Sequence, residues 1–231
     1  MALYTIGDLH LSFSSGKPMD RFGERWKDHP EKLKKGFASL GEEDLCVLCG
    51  DLSWGMGLEQ CREDFAFIDA LPGRKIILKG NHDYWWTTVK KIREFFEANS
   101  FTTMEILNNN SFYYGEIALC GTRGWFYEEE RGESHDKKIL AREVLRLRTS
   151  LLSAGDREKA VFLHYPPLTR TYRCDEILSV LKEFKVRHCY YGHLHGSAHS
   201  AAVNGWVDGT EFRLVSADFL QFTPKKLDFT D

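Results

Sequence analysis

Short apolar runs in this chain repeatedly end at a residue that can bind a metal ion. The runs are 3–6 before Gly7-Asp8, 45–49 before Gly50-Asp51, 75–78 before Gly80-Asn81, 160–163 before His164, and 189–191 before Gly192-His193. Their length, and the glycines that bound most of them, predict buried strands. Because open α/β sheets place their sites at the carboxyl ends of strands, we expect these polar side chains to converge on one edge.

Segments of helical periodicity separate the predicted strands. The predicted helices cover Pro30 to Leu40, the repeat from Leu58 to Ile68, Val89 to Phe96, Ser134 to Leu152, and Ile177 to Phe184. The runs 112–114 and 117–120 flank Gly115-Glu116 as the strands of a hairpin would, and residues 212–215 predict another strand. Strands that alternate with helices are typical of the α/β class.

The chain has 231 residues, which fits one α/β domain over residues 1–231. The charged run 128–131 is typical of a solvated loop, although it could also cover the site as part of a lid segment around 123–155. The net charge of −3 disfavours broad nucleic-acid binding, which usually leaves a basic footprint.

The cysteines and the apolar runs indicate the cellular location of the protein. Cys46 and Cys49 form a Cys-x-x-Cys pair, but they lie inside a predicted buried strand, so we interpret them as core cysteines rather than a redox or zinc pair. No signal peptide opens the chain, and no apolar run approaches the length of a membrane span. We expect a soluble, cytoplasmic protein that does not associate with membranes.

The polar residues at the strand ends are weak signals one at a time. Asp8 and His10, like His193 and His195, are two apart, so each pair can face one side of an extended chain. A cap, a turn or a surface histidine would explain any one of them. Together they would crowd many polar groups at one place, which is costly without compensation. Mixed Asp, His and Asn ligation suits manganese, iron or zinc.

The complete set of motifs resembles that of the calcineurin-like metallophosphoesterases. In chain order the motifs are D-L-H at 8–10, G-D at 50–51, G-N-H-D at 80–83, the single His164, and G-H-L-H at 192–195. Each follows a predicted strand, and together they extend over most of the chain. The resemblance implies a four-layer α/β/β/α sandwich, in which two mixed sheets have flanking helices, and an enzyme that hydrolyses phosphate esters.

The resemblance also implies a role for each motif residue. One metal ion would be bound by Asp8, His10 and His195, the other by Asn81, His164 and His193, with Asp51 bridging both. Two divalent or trivalent cations about 3.5–4 Å apart can activate a water molecule and stabilise an in-line displacement at phosphorus. His82 would protonate the leaving oxygen as general acid, unless it only supports the metal site as a structural residue.

The chain departs from the family after Asp51. Many members carry G-D-x-x-D, often followed by Arg, whereas here Trp54 and Gly55 follow Ser53. The Asp that orients the catalytic histidine and the Arg that grips phosphate are both absent. This departure disfavours the protein Ser/Thr phosphatase branch. It also removes the known means of orienting His82.

Arg123 is the candidate that we expect to replace the missing phosphate clamp. It follows the predicted strand 117–120, and its planar fork can hold two phosphoryl oxygens, although a surface or salt-bridged arginine is an equal alternative. Aromatic residues also lie near the motifs, and they could either pack in the core or line a pocket for an apolar leaving group. They are Trp54, Tyr84, Trp85, Trp86, Trp125 and Phe126.

The sequence therefore predicts a hydrolase of a phosphomonoester or a small phosphodiester, acting as a phosphatase or phosphodiesterase on a small molecule. A nuclease is the alternative within the enzymes. The alternative from another class is a catalytically silent binding scaffold, like the retromer subunit that shares this family's fold. The filled ligand positions argue against the scaffold. The sequence does not indicate an oligomeric state.

Overall fold

The structure is a computed structural model that describes residues 1–126 and 133–229. The strands in these ranges are β1 (Leu3–Ile6), β2 (Leu45–Leu48), β3 (Arg74–Ile77), β4 (Met104–Ile106), β5 (Phe112–Tyr114), β6 (Ile117–Thr122), β7 (Glu158–Leu163), β8 (His188–Tyr191), β9 (Gly205–Val207), β10 (Thr210–Leu214) and β11 (Lys225–Leu227). The α-helices are α1 (His29–Phe37), α2 (Arg62–Ala70), α3 (Val89–Ala98), α4 (Glu133–Ser153) and α5 (Asp175–Glu183). They form two compact units, the first comprising residues 1–106 with the chain from Val215 on, and the second residues 107–214.

The first unit is built on a mixed sheet of order β11-β1-β2-β3-β4. The strands β1 to β4 run parallel, and β11 adds antiparallel to β1. All four residues of β2 are buried, as expected of a central strand in a parallel sheet. On α3, Ile92, Phe95 and Phe96 are buried at helical spacing, and Phe65 of α2 packs against Phe96. This core fixes the ends of the parallel strands.

The second unit has its own mixed sheet, of order β5-β6-β7-β8-β10-β9. The strands β6, β7, β8 and β10 are parallel, while β5 and β9 are antiparallel edge strands. Helix α4 is joined to β6 by hydrogen bonds as well as apolar contacts. The Gly121 amide donates to the Ser150 hydroxyl at 3.0 Å, and the Thr122 hydroxyl donates to the buried Glu143 carboxylate at 2.6 Å.

The predicted α/β class is confirmed, since two mixed sheets with flanking helices are present. The predicted hairpin is formed by β5 and β6, and Cys46 and Cys49 are buried in the core as thiols. Some element bounds were wrong: the repeat that begins at Leu58 opens with a 3₁₀ turn, Leu58–Cys61, and becomes α-helical only at Arg62. The short strands β4, β9 and β11 were not predicted.

The lid and single-domain predictions stay predictions. The charged run 128–131 lies outside the described residues. The described remainder of segment 123–155 includes helix α4, which packs against β6. None of the helices in the described ranges combines the length and apolar character of a membrane-crossing segment.

A buried lysine closes the end of helix α2. Lys75 lies in β3 with no exposed surface, and its ammonium donates to the carbonyls of Leu71 at 2.6 Å, Gly73 at 2.8 Å and Asp69 at 3.2 Å. The Asp69 and Leu71 carbonyls lie at the end of α2, where the helix itself supplies no amide donor. Burial lowers the pKa of Lys75 to about 8, although the nearby Asp69 carboxylate acts in the opposite direction. The interaction ties α2 to the sheet.

We predict that Lys75→Met lowers the free energy of unfolding by about 1–3 kcal/mol at neutral pH, because buried carbonyls lose their donor. The native protein releases the Lys75 proton near pH 8, whereas the unfolded chain keeps it until about pH 10.4. Wild-type stability therefore gains from rising pH in this window, and the variant lacks the gain. Urea denaturation from about pH 8 to about pH 10 should show the difference widening.

The control is Lys90→Met, which removes an ammonium from a side chain that is 86% exposed. It should match wild type within about 0.5 kcal/mol at each pH. If the difference in free energy of unfolding between Lys75→Met and wild type narrowed as the pH rises, the lowered pKa of Lys75 would be contradicted.

Candidate metal centre and active site

The first unit brings together three of the predicted metal ligands. Asp8 follows β1 and Asp51 follows β2, so the parallel register of these strands carries both carboxylates to the same edge of the sheet. A carboxylate oxygen of Asp8 lies within 4.8 Å of one from Asp51, and also within 4.8 Å of a His10 ring nitrogen. His10 Nε2 lies 3.7 Å from Asp51 Oδ2. All three side chains are buried.

The backbone at these ligands adopts the left-handed conformation that non-glycine residues seldom use. The φ angle is 62° at Asp8, 47° at His10 and 53° at Asp51. The Asp8 amide donates to the Gly50 carbonyl at 2.8 Å, and the His10 amide to the Asp51 carbonyl at 2.9 Å. The loops after β1 and β2 are thus joined to each other. Positive φ clusters at functional sites because the surrounding structure must hold it in place.

Gly80 permits the close approach of the loop after β3. A Cβ atom at this position would lie 2.1 Å from Asp51 Oδ1 and 2.2 Å from the Asp51 amide nitrogen. No side chain fits at these distances. Glycine at 80 is therefore required by the position of Asp51, and Asn81 follows it directly.

Asp83 is a residue whose role the sequence analysis missed. Its fully buried carboxylate accepts hydrogen bonds from the amides of Asp51 at 2.9 Å, Leu52 at 2.8 Å and Gly80 at 2.7 Å, and from Trp85 Nε1 at 3.0 Å. Burial raises the pKa of Asp83, and the hydrogen bonds from the backbone oppose that rise. Asp83 therefore joins the loops after β2 and β3. Its position at the end of G-N-H-D was the available signal.

His82 lies beside this cluster and is half-buried. Its amide donates to Asp51 Oδ1 at 2.7 Å, and its ring nitrogen Nδ1 lies 3.2 Å from the Tyr84 hydroxyl. The His82 ring centroid lies 4.4 Å from that of Trp54 and 5.8 Å from that of His10. The imidazole is thus placed against the predicted ligands by its own backbone and by two aromatic neighbours.

The aromatic residues divide between the core and the site. Trp85 is buried against Phe65, as the core interpretation predicts, whereas Trp54 stacks on His10 with ring centroids 5.0 Å apart. Trp54 Nε1 donates to Met19 Sδ at 3.2 Å, which fixes the orientation of the indole. Trp54 therefore occupies the position at which the sequence departs from the family, in contact with two of the motif histidines.

The second unit brings together His164 and His193. His164 follows β7 and is fully buried, while His193 follows β8 with a φ of 74°. Their ring centroids are 5.3 Å apart, and the Gly192 amide donates to the His164 carbonyl at 3.0 Å. Tyr165 packs on His193 at 4.5 Å between ring centroids. His195 is half-buried at the start of the 3₁₀ segment Gly196–Ala201.

Arg123 forms an ion pair, which is the alternative to phosphate binding that the sequence left open. Its guanidinium lies 3.5 Å from the buried Glu143 carboxylate and 4.9 Å from the Trp125 ring centroid. Its carbonyl accepts hydrogen bonds from the amides of His164 at 3.1 Å and Tyr165 at 2.8 Å. Arg123 therefore supports the loop of His164 through its backbone, and phosphate binding by its side chain stays a prediction.

A family model of calcineurin-like phosphoesterases matches residues 1–197. The chain belongs to this family. A comparison with curated protein sequences finds no match. The family and the donor set agree, because two carboxylates and an imidazole held close together in a buried place are a combination that a divalent cation neutralises. Together they indicate a metal-dependent hydrolase.

Solved structures share the fold over nearly the whole chain. The phosphopantetheinyl hydrolase PptH from Mycobacterium tuberculosis matches with a TM-score of 0.61 at 14% identity, covering 99% of this chain and 96% of that one. The protein of unknown function AQ665 from Aquifex aeolicus matches with a TM-score of 0.57 at 16% identity, covering 97% and 95%. TT1561 of Thermus thermophilus gives 0.57 at 11% identity, covering 98% and 97%. At these identities the likeness shows the fold alone.

We predict that Gly80→Ala displaces Asp51 and lowers the free energy of unfolding by about 1–3 kcal/mol, the usual cost of overpacking. Urea denaturation measures the loss. The matched control is Gly57→Ala, because a Cβ at Gly57 meets no atom within 4 Å. Equal stabilities of the two variants would show that the loop of Gly80 yields freely and does not fix Asp51.

Proposed function

We propose that this protein is a two-metal phosphoesterase that hydrolyses a phosphomonoester or a small phosphodiester. The observation that carries the proposal is the buried cluster of Asp8, His10 and Asp51, with the His82 amide bonded to the Asp51 carboxylate. Membership of the family supplies the reaction class. The cluster supplies donors of the right kind, at the strand ends where the family's motifs predict them.

The proposed cofactors are two cations, with manganese, iron or zinc preferred for this mixture of ligands. Asp8, His10 and His195 would hold one, and Asn81, His164 and His193 the other. Asp51 would bridge both. The close approach of Asp8 to Asp51, and of His164 to His193, supports each half of this assignment. Ions bound there would lower the pKa of a water molecule and neutralise charge on the phosphoryl oxygens.

His82 is the proposed proton donor to the leaving oxygen. Its backbone bond to Asp51 holds it at the cluster, and the Tyr84 hydroxyl lies 3.2 Å from its Nδ1. Tyr84 would thus orient His82 in place of the aspartate that many family members use, while Trp54 limits the ring on another side.

A small substrate suits the protein better than a nucleic acid. The net charge of −3 provides no general attraction for a polyanion. One structural neighbour is a phosphopantetheinyl hydrolase, which is consistent with a small-molecule phosphoester. The rings of Trp54 and Tyr84 both contact His82, and we propose that they receive an apolar leaving group. All six cysteines are buried thiols, which supports a reducing, cytoplasmic location.

Metal analysis combined with hydrolysis of a bis-aryl phosphate, a matching monoester and single-stranded DNA tests the function. Two metal equivalents and turnover of a small ester would support the proposal. Faster turnover of DNA would favour a nuclease. Full metal content without hydrolysis of any phosphate ester would favour the binding scaffold.

We predict that Asp51→Asn reduces the content of both metal ions, because a neutral amide bridges two cations poorly. Elemental analysis after gel filtration gives the metal content. The matched control is Asp69→Asn, whose carboxylate binds the Thr103 amide and hydroxyl instead. It should keep both ions. Two full equivalents in Asp51→Asn would count strongly against the bridging role.

We predict that His82→Ala keeps its metal ions and loses rate by about 10²–10⁴-fold on substrates with poor leaving groups. The loss should shrink for aryl leaving groups, since these need little protonation. Tyr84→Phe should show the same dependence on the leaving group with a smaller loss. Rates of an aryl and an alkyl phosphate, measured on each variant, make the comparison. An equal loss on both substrates would assign His82 a structural role.

A further inference from the structure

An exposed lysine, Lys17, lies over the Trp54 ring, which contacts His10 and His82. The Lys17 ammonium is 4.6 Å from the centroid of the Trp54 ring. Among the described residues, no carboxylate lies within ion-pair distance of this ammonium. Lys17 is also the only basic residue, apart from His10, between Asp8 and Met19. Its positive charge is therefore not cancelled by any described neighbour.

Trp54 is held in a defined orientation at the Asp8 cluster. Its ring centroid lies 4.4 Å from His82 and 5.0 Å from His10, and its Nε1 donates to the buried Met19. A ring face attracts an ammonium without neutralising it. A carboxylate at position 54 would hold Lys17 equally well but would cancel its charge. The indole therefore holds Lys17 without cancelling its charge, and the same ring contacts His10 and His82.

The site needs such a cation. Trp54 and Gly55 stand where many family members carry an aspartate and then the arginine that grips phosphate. The other candidate, Arg123, has its guanidinium against the Glu143 carboxylate. We propose that Lys17 binds the phosphoryl group of the substrate, with Trp54 positioning it beside His82. This inference rests on the proposed function. A lysine serves as a point-charge partner for a phosphoryl oxygen, and its long side chain lets it follow the substrate into place.

The experiment compares metal-loaded wild type with Lys17→Ala, Lys17→Arg and Lys34→Ala. Lys34 is the matched control, because its ammonium also lies over an aromatic ring, 5.6 Å from the Phe67 centroid, but it pairs with Glu31 at 2.8 Å. The measurements are kcat/KM for a bis-aryl phosphate, the affinity for inorganic phosphate by calorimetry, the metal content and the melting temperature. Calorimetry reads phosphate binding without depending on turnover.

Lys17→Ala should lower both kcat/KM and phosphate affinity by about 10–100-fold, the loss expected when a charge-assisted hydrogen bond is removed. Lys17→Arg should stay within about threefold of wild type, since arginine keeps the charge and can also lie over the Trp54 ring. Lys34→Ala should match wild type, and all variants should keep their metal ions and melting temperature.

A second comparison tests the part assigned to Trp54. In variants that keep both metal ions, Trp54→Leu should weaken phosphate binding in the wild-type background but cause no further weakening when Lys17 is already Ala, because the proposed part of the ring in phosphate binding is to position the ammonium. Additive losses would overturn that part of the proposal.

The two proposals can fail separately. If wild type hydrolyses the ester and Lys17→Ala retains wild-type kcat/KM and phosphate affinity, the role of Lys17 is overturned and the proposed function stands. If metal-loaded wild type neither hydrolyses a phosphate ester nor binds phosphate, the proposed function fails and the role of Lys17 fails with it.

Discussion

The buried carboxylate of Asp83 is the interaction on which the first half of the site depends. It accepts amide hydrogen bonds from Asp51, Leu52 and Gly80, so one side chain fixes the loops that leave β2 and β3. A buried charge is tolerated only when it is well compensated, and here the compensation comes from the backbone that carries the proposed ligands. The position of Asp51 then determines that of His82, through the bond from the His82 amide. A core interaction thereby sets the geometry of the candidate chemistry.

The strain in the site shows why so much support is needed. Four of the seven proposed ligands have positive φ angles: Asp8, His10, Asp51 and His193. Each such conformation costs about 1–3 kcal/mol and persists only where neighbouring structure enforces it. Parallel strands provide this enforcement on one side and the cross-linked loops provide it on the other. The same sharp turns direct consecutive polar side chains towards a common point, which extended backbone at the strand ends would not do.

The sequence predicted most of the fold because its signals were local. Alternating apolar runs and helical repeats located β1, β2, β3 and most helices. The three strands that were missed, β4, β9 and β11, have only three residues each, and their pairing depends on partners distant in the chain. The ligand set was identified through family motifs. Asp83 was assigned no role, and Tyr84 was assigned only to the core or to a pocket, because hydrophobic periodicity does not show which amides or imidazole nitrogens a polar side chain will contact.

Trp54 stands where many family members carry an aspartate, and its contacts show how the site can work without that residue. In many members of the family, an aspartate orients the catalytic histidine and an arginine grips the phosphate. Both functions then depend on charged residues that follow the bridging aspartate. Here an aromatic ring takes that place, and it touches His82, His10 and the ammonium of Lys17. Orientation of His82 can then pass to the Tyr84 hydroxyl and positive charge to Lys17. A neutral ring beside the cluster also adds no negative charge that would compete with phosphate, so the substitution is compatible with catalysis.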